Sequence, residues 1–383
     1  MVRFVAGGGV ATKEMLVLNI LCGVALILFG TRFLRKGLDR LFGQSLVRWL
    51  QSLAGHRGKA FLAGIVAGVG TPSSTAVSLV AVQMLSSGQL TAERMLAIFL
   101  GANVGITAPA QLLAFRVQDY APAFILVGVV GFQFLQRNLF RGIGQCLLAL
   151  GFLFLAMKMI GEATRSIAPA GDVGILLHLL ASHTWILMVF AGLVAFGLQS
   201  STAALGLGIG LASGGHFSFE AMLAWVLGAN LGIALTTLVT GWGSLEGRRL
   251  ATANILVKGI AAMGLMFLLP AWKPAVQSTP AVLAAQSVHF HTLFNLGVGL
   301  VCLPLISPLS RLMRGLIVPP PVLGLQGPET HLDHQALESP ALALANATRE
   351  VLSLADEVQL MLHNFWQAQT GQNKSFGGSG SRP

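Results

Sequence analysis

The chain has 383 residues, 54% of them hydrophobic and only 10% charged, with a mean hydropathy of +0.74 and a formal net charge of +10. Soluble domains carry about 25% charged residues, so the composition excludes a soluble globular protein. Apolar runs of 16 to 22 residues likewise exclude a transmembrane β-barrel, whose strands are shorter and alternate. The expected fold is an all-α polytopic membrane protein. The positive charge reads as positive-inside bias, not nucleic-acid binding, because Lys and Arg are scattered through short loops without interleaved aromatic residues.

Residues 1–14, "MVRFVAGGGVATKE", form an N-terminal extension, and three glycines interrupt what would be the apolar part of a signal peptide. A first crossing is expected over 15–31. The segment 34–53 is too charged to span, and Leu34, Leu38, Leu41, Phe42, Trp49 and Leu50 predict a separate amphipathic helix along the cytoplasmic surface. Further crossings are expected over 95–115, 121–135, 142–160, 221–240, 250–269 and 288–306, about seven in all. Two other apolar stretches, 60–85 and 185–211, are broken by "SSTA" and fit re-entrant helical hairpins better than straight spans.

This division gives a first transmembrane repeat over 15–141, and a second repeat with the final helix over 142–318. A Pro-rich linker, 319–334, leads to a cytoplasmic helix at 335–369 with Leu337, Leu344, Val351, Leu354, Val358 and Leu362 on one stripe. Residues 370–383 read as a flexible tail or a cloning scar. Fourteen Lys and Arg residues, from Arg32 to Arg314, fall on one side of this arrangement and five on the other. The expected location is therefore the inner membrane, with the N-terminus outside and the C-terminus in the cytoplasm. Cys22, Cys146 and Cys302 lie in apolar stretches without CxxC spacing and read as packing or lipid-facing residues.

The two clusters, Ser73–Ala76 and Ser200–Ala203, stand 127 residues apart. The same ungapped offset aligns "GANVGI" (101–106) with "GANLGI" (228–233), Glu93 with Glu220, and Gly88 with Gly215, giving 17 identities over 40 positions. Chance likeness of apolar segments would match Leu and Ala, but not Ser-Ser-Thr and Gly-Ala-Asn together. With three crossings between the hairpins, the copies are expected to enter from opposite faces, the inverted-repeat architecture of secondary transporters. Gly64, Gly68, Gly70, Gly192 and Gly197 allow close packing around the breaks. A hydroxyl-lined break offers free N–H groups and positive helix ends to an anion, and carbonyl and hydroxyl oxygens to a cation. Asn103 and Asn230 fit either site lining or helix–helix hydrogen bonding.

No Asp or Glu falls inside an expected span; Glu93, Asp119, Glu162, Glu220 and Glu246 sit at ends. The missing carboxylates point to Na+ as coupling ion rather than a proton, and to an anion rather than an organic cation as cargo. His289 and His291 open the last crossing and read as packing or interface residues. Lys158 and Lys258 read as snorkelling or edge-lining groups. A channel and an intramembrane hydrolase, with Ser73 or Ser200 as nucleophile and His291 as base, are the competing readings. No GxSxG elbow is present, so neither an enzyme nor an organic cofactor is expected, and no nucleic-acid partner.

Taken together, "QSSTA" (199–203), the twin GAN-hydrophobic-G motifs (101–105 and 228–232) and "HTLFN" (291–295) resemble the Na+/phosphate cotransporter family that includes the animal type II sodium–phosphate cotransporters. The resemblance implies sodium-coupled uptake of inorganic phosphate by alternating access within a lipid bilayer. It places substrate and sodium at Ser73, Ser74, Thr75, Gln199, Ser200, Ser201 and Thr202, with Asn103 and Asn230 lining the site. It also likens the tail to the opening helix of a PhoU-like domain, cut short. One departure stands out: where the first repeat would carry Gln, this chain has Pro72. The hairpin break can survive this change, because Pro suits the first turn of a helix, but an amide that both donates and accepts is lost. The repeats also differ at Thr107 and Ala234. These differences bear on which anion is carried and how many sodium ions accompany it.

Overall fold

The computed structural model describes residues 13–53, 56–86, 88–114, 118–167, 172–271, 283–319 and 340–369. Among them all regular structure is helical. Residues 1–319 form one compact unit and 320–383 a second. In the first unit the helices are α1 (Lys13–Leu53), α2 (Arg57–Gly70), α3 (Ser74–Ser86), α4 (Ala92–Gly105), α5 (Ala108–Gln111), α6 (Ala121–Phe134) and α7 (Asn138–Arg165). They continue as α8 (Asp172–Ser182), α9 (Thr184–Leu198), α10 (Ser201–Ser213), α11 (Phe219–Gly241), α12 (Leu245–Phe267) and α13 (Leu283–Leu316).

Among the described residues, six helical segments are long and apolar enough to cross a membrane: Met15–Phe42, Ala92–Ala114, Asn138–Arg165, Phe219–Gly241, Leu245–Phe267 and Leu283–Leu316. A seventh is reached if α8 and α9, bent by 110° at His183, count as one span. The protein is thus polytopic and all-α. The crossing expected at 121–135 is the short helix α6, whose 14 residues extend about 21 Å against a hydrocarbon core of about 30 Å.

The separate surface helix expected at 34–53 is corrected: α1 runs unbroken from Lys13 to Leu53. The reason is packing. Leu34 is buried, and Gly37 lies so close to α7 that a Cβ there would fall 2.7 Å from Cys146 Sγ. The helix thus stays docked on α7 beyond its apolar first half. Leu38 and Leu41 are half-buried and Phe42 is exposed; the side chains of Trp49 and Leu50 lie outside the described residues.

Both "SSTA" stretches are broken as expected. In the first, α2 ends at Gly70 and α3 begins at Ser74. A Cβ on Gly101 would stand 1.9 Å from the Phe61 carbonyl oxygen, and one on Gly105 2.1 Å from that of Ile65. These contacts advance together along both chains, so α2 and α4 run parallel and α3 must return between them. Arg57 at the start of α2 pairs with Glu93 at the start of α4, N···O 2.5 Å, which closes the mouth of a hairpin.

The second copy repeats this geometry 127 residues later. A Cβ on Gly228 would stand 2.0 Å from the Met188 carbonyl oxygen, and one on Gly232 2.1 Å from that of Gly192, so α9 and α11 are parallel and α10 returns. Gly88 and Gly215, in the loops that follow the returning helices, both have positive φ, +74° and +86°. That backbone conformation favours glycine. Thr91 and Ser218 cap the next helices, accepting from the Arg94 and Ala221 amides.

The mouths sit at different ends of the bundle. The first opens just after the C-terminal end of α1. The second is tied to the C-terminal end of α7, where Arg165 Nε donates to the Ser213 carbonyl and His216 Nε2 meets the Thr164 carbonyl (3.2 and 2.8 Å). That end of α7 packs on the N-terminal part of α1, through Gly23 and Ile160. The core centres on α11, whose fully buried Trp225 donates from Nε1 to the Ala204 carbonyl of α10, 2.8 Å.

In the second unit, Pro340–Gln369 is one helix, α14. Leu344, Val351, Leu354, Val358 and Leu362 of the expected stripe are exposed on it; Leu337 lies outside the described residues. The three cysteines are free; Cys22 is exposed and Cys302 buried.

Candidate functional site

The tips of the two hairpins meet. Pro72, Ser73, Ser74 and Thr75 from one, and Gln199, Ser200, Ser201 and Thr202 from the other, line a single cavity of about 340 Å3. Ligand sites commonly have volumes of about 300 Å3 or more. The local chemistry is the same at both tips. Ser73 Oγ accepts from the Ala76 amide (3.3 Å) and Ser200 Oγ from the Ala203 amide (3.2 Å). Each serine thus satisfies one of the unpaired N–H groups that open α3 and α10, and both helices begin at the cavity with their positive ends. Ser73, Ser201 and Thr202 are buried, and Ser74, Thr75 and Ser200 half-buried.

The tips differ at one position. Gln199 closes α9 in the left-handed conformation, φ 52°, alone among the described non-glycine residues. That places a side-chain amide on the cavity wall. Its counterpart, Pro72, offers no hydrogen-bond donor.

Four further polar wall residues escaped the sequence reading. Thr236, Thr237 and Thr240 of α11 donate to the backbone one turn back, to Gly232, Ile233 and Thr236 (3.0–3.1 Å). Their oxygen lone pairs remain free to accept or to coordinate a cation. Their signal was the run "TTLVT" in an otherwise apolar crossing. The fourth is Arg35 of α1, which the sequence had assigned to a cytoplasmic surface helix.

Asn103 and Asn230 lie off the cavity wall, almost fully buried, in two side-chain networks. Asn103 Nδ2 donates to Asn254 Oδ1 (3.0 Å), and Lys258 Nζ donates to Asn103 Oδ1 (3.3 Å), joining α4 to α12. Asn230 Oδ1 accepts from Asn295 Nδ2 (2.9 Å), joining α11 to α13. His291 and Asn295 of the "HTLFN" stretch are both buried, whereas His289 is exposed and meets Gln111. Among the described residues no cluster of three His, Cys, Asp or Glu side chains could hold a metal ion.

Such paired, hydroxyl-lined tips can bind a small ion. Residues 26–162 match the Na+/Pi-cotransporter family model. The chain is also similar to the "Putative inorganic phosphate export protein YjbB" of Escherichia coli K12, 29% identical over 357 residues, and to its namesake in Salmonella typhimurium, 30% identical over 360. Each alignment takes in 93% of this chain, which spans 66% of the length of these relatives. A third relative, "Uncharacterized protein YqeW" of Bacillus subtilis, is 27% identical over 307 residues, 79% of this chain and 99% of that protein. No solved structure matches the chain. The family matched is one of transporters, and the multi-pass helical fold agrees with it.

Proposed function

We propose that the protein is a sodium-coupled carrier of inorganic phosphate, working by alternating access between two inverted repeats in the inner membrane. One observation carries this reading: two tips of the same sequence, 127 residues apart, line one cavity although their hairpins open at different ends of the bundle. In such an arrangement either hairpin can close while the other opens, around a fixed site. Ser73, Ser74, Thr75, Gln199, Ser200, Ser201 and Thr202 bind phosphate through their hydroxyl, amide and helix-end N–H groups. Sodium takes neutral oxygens of the same cluster and of the α11 threonines. Asn103 and Asn230 hold the helices behind the tips. The expected topology, with the N-terminus outside, puts the first mouth and α14 on the cytoplasmic side, and α14 is the part the resemblance assigns to a PhoU-like domain.

The experiment is uptake of labelled phosphate into proteoliposomes under an inward sodium gradient, compared with potassium. Sodium-dependent accumulation in the wild type, lost in Ser200→Ala and Ser201→Ala proteins that still purify as folded, is the expected result. Equal uptake in both salts removes sodium coupling, and transport that survives both substitutions removes the assigned site. An inward sodium gradient drives uptake. The name of the enterobacterial relatives favours a second reading, export. Vesicles preloaded with phosphate decide between them: release driven by external sodium, under an inward sodium gradient, supports export, whereas the uptake carrier releases phosphate only when sodium is inside.

A further inference from the structure

The repeat is symmetric at the serines and asymmetric one residue before them, where Gln199 faces Pro72. Arg35, which belongs to neither hairpin, lines the same cavity as Pro72. It is half-buried, and its Nε is enclosed with no hydrogen-bond partner. Among the described residues Arg35 forms no ion pair; the three present join other residues. Asp39, one turn further along the same helix, is exposed, and its charge acts on Arg35 without forming an ion pair. A buried donor with no acceptor is expensive, and a guanidinium fork is shaped to meet two oxygens of an oxyanion at once.

We propose that Arg35 supplies, from outside both hairpins, the anion donor that the first tip lacks at Pro72, making the site selective for a multiply charged oxyanion over a monovalent one. This rests on the cavity being the phosphate site. At the second tip Gln199 offers a neutral amide that serves anion and cation alike. The fixed positive charge of Arg35 holds the anion and repels a cation, whereas the neutral oxygens of Gln199 and the α11 threonines can take sodium.

The test measures the KM and Vmax of phosphate transport in proteoliposomes, and the thermal shift that phosphate produces on the purified protein, for wild type, Arg35→Lys, Arg35→Met, Pro72→Gln and the Arg35→Met/Pro72→Gln pair. Loss of a charge-assisted hydrogen bond predicts that Arg35→Met raises KM by about 10- to 100-fold. Arg35→Lys should fall between it and wild type, since it keeps the charge but loses the fork. Adding Pro72→Gln to Arg35→Met should recover about tenfold of the loss by restoring a donor at the tip, while competition by monovalent nitrate rises. A KM for Arg35→Met within twofold of wild type, or a double variant no better than the single, overturns the proposal. Should Arg35→Met not fold, the Lys variant decides: an unchanged KM with unchanged nitrate competition overturns it as well. If wild type neither transports phosphate nor is stabilised by it, the phosphate reading itself falls and this inference with it.

Discussion

The two GAN helices share a backbone environment and differ in what their asparagines hold. In α4 and α11 a Cβ added at the equivalent glycines would fall at matching distances from equivalent carbonyl oxygens, 1.9 against 2.0 Å and 2.1 against 2.1 Å. Yet Asn103 binds Asn254 and the ammonium of Lys258, whereas Asn230 binds the neutral amide of Asn295. The repeat therefore keeps what docks each hairpin on its parallel helix and lets the polar partner change. Backbone approach tolerates no added atom, while a buried amide accepts any partner that satisfies its donors and acceptors.

The largest expected effect tests the shared half of that comparison. Gly101→Val and Gly228→Val each place a branched side chain against a carbonyl oxygen with no room to retreat. Both should abolish accumulation of folded protein in the membrane, read by fluorescence-detected gel filtration. If one is tolerated and the other is not, the two hairpins are not docked in the same way.

The same contrast explains how much the sequence disclosed. The broken stretches, the offset and the hydroxyls at the tips were legible because they are local: small residues, a capping serine and a positive-φ glycine leave their mark within a few positions. Arg35 was not legible, because a charged residue near the end of an apolar run reads as a topological marker until the neighbour it faces is known. The continuity of α1 was hidden for a related reason. Its charged second half looks like a surface helix unless the close approach at Gly37 is seen. The partners of Asn103 and Asn230 lie 151 and 65 residues away, and no spacing in one sequence announces such a contact.

The unshared half is tested by removing the asparagines. Asn103→Leu leaves the buried Lys258 (3% exposed) without the acceptor it now has, and an unsatisfied buried group costs about 1–3 kcal/mol, more when it is charged. Asn230→Leu strands only a neutral amide, for which about 1–3 kcal/mol is expected. Thermal unfolding in detergent should therefore rank Asn103→Leu as the more damaging. Lys258→Met alone leaves Asn103 Oδ1 without that donor and should cost about 1–3 kcal/mol, but added to Asn103→Leu it removes the stranded charge and should restore much of what Asn103→Leu loses. Equal losses for the two asparagines, or no rescue by Lys258→Met, would mean that the ammonium draws its stability from elsewhere.

The smallest expected effect comes from the other lysine in a span. Lys158 and Lys258 look alike in the sequence, each a lone charge among apolar residues, but the structure separates them. Lys158 Nζ meets Asp119 Oδ1 at 3.1 Å with the side chains 42% and 85% exposed. Exposed pairs of this kind contribute about 0–1 kcal/mol, since solvent screens the attraction and two long side chains must be held in one geometry. Lys158→Ala should accordingly shift thermal unfolding less than either asparagine substitution, and raising the salt concentration should shrink even that difference. Should Lys158→Ala match Asn103→Leu in its effect, burial would not be what distinguishes the two lysines, and the contrast between the GAN networks would lose its physical basis.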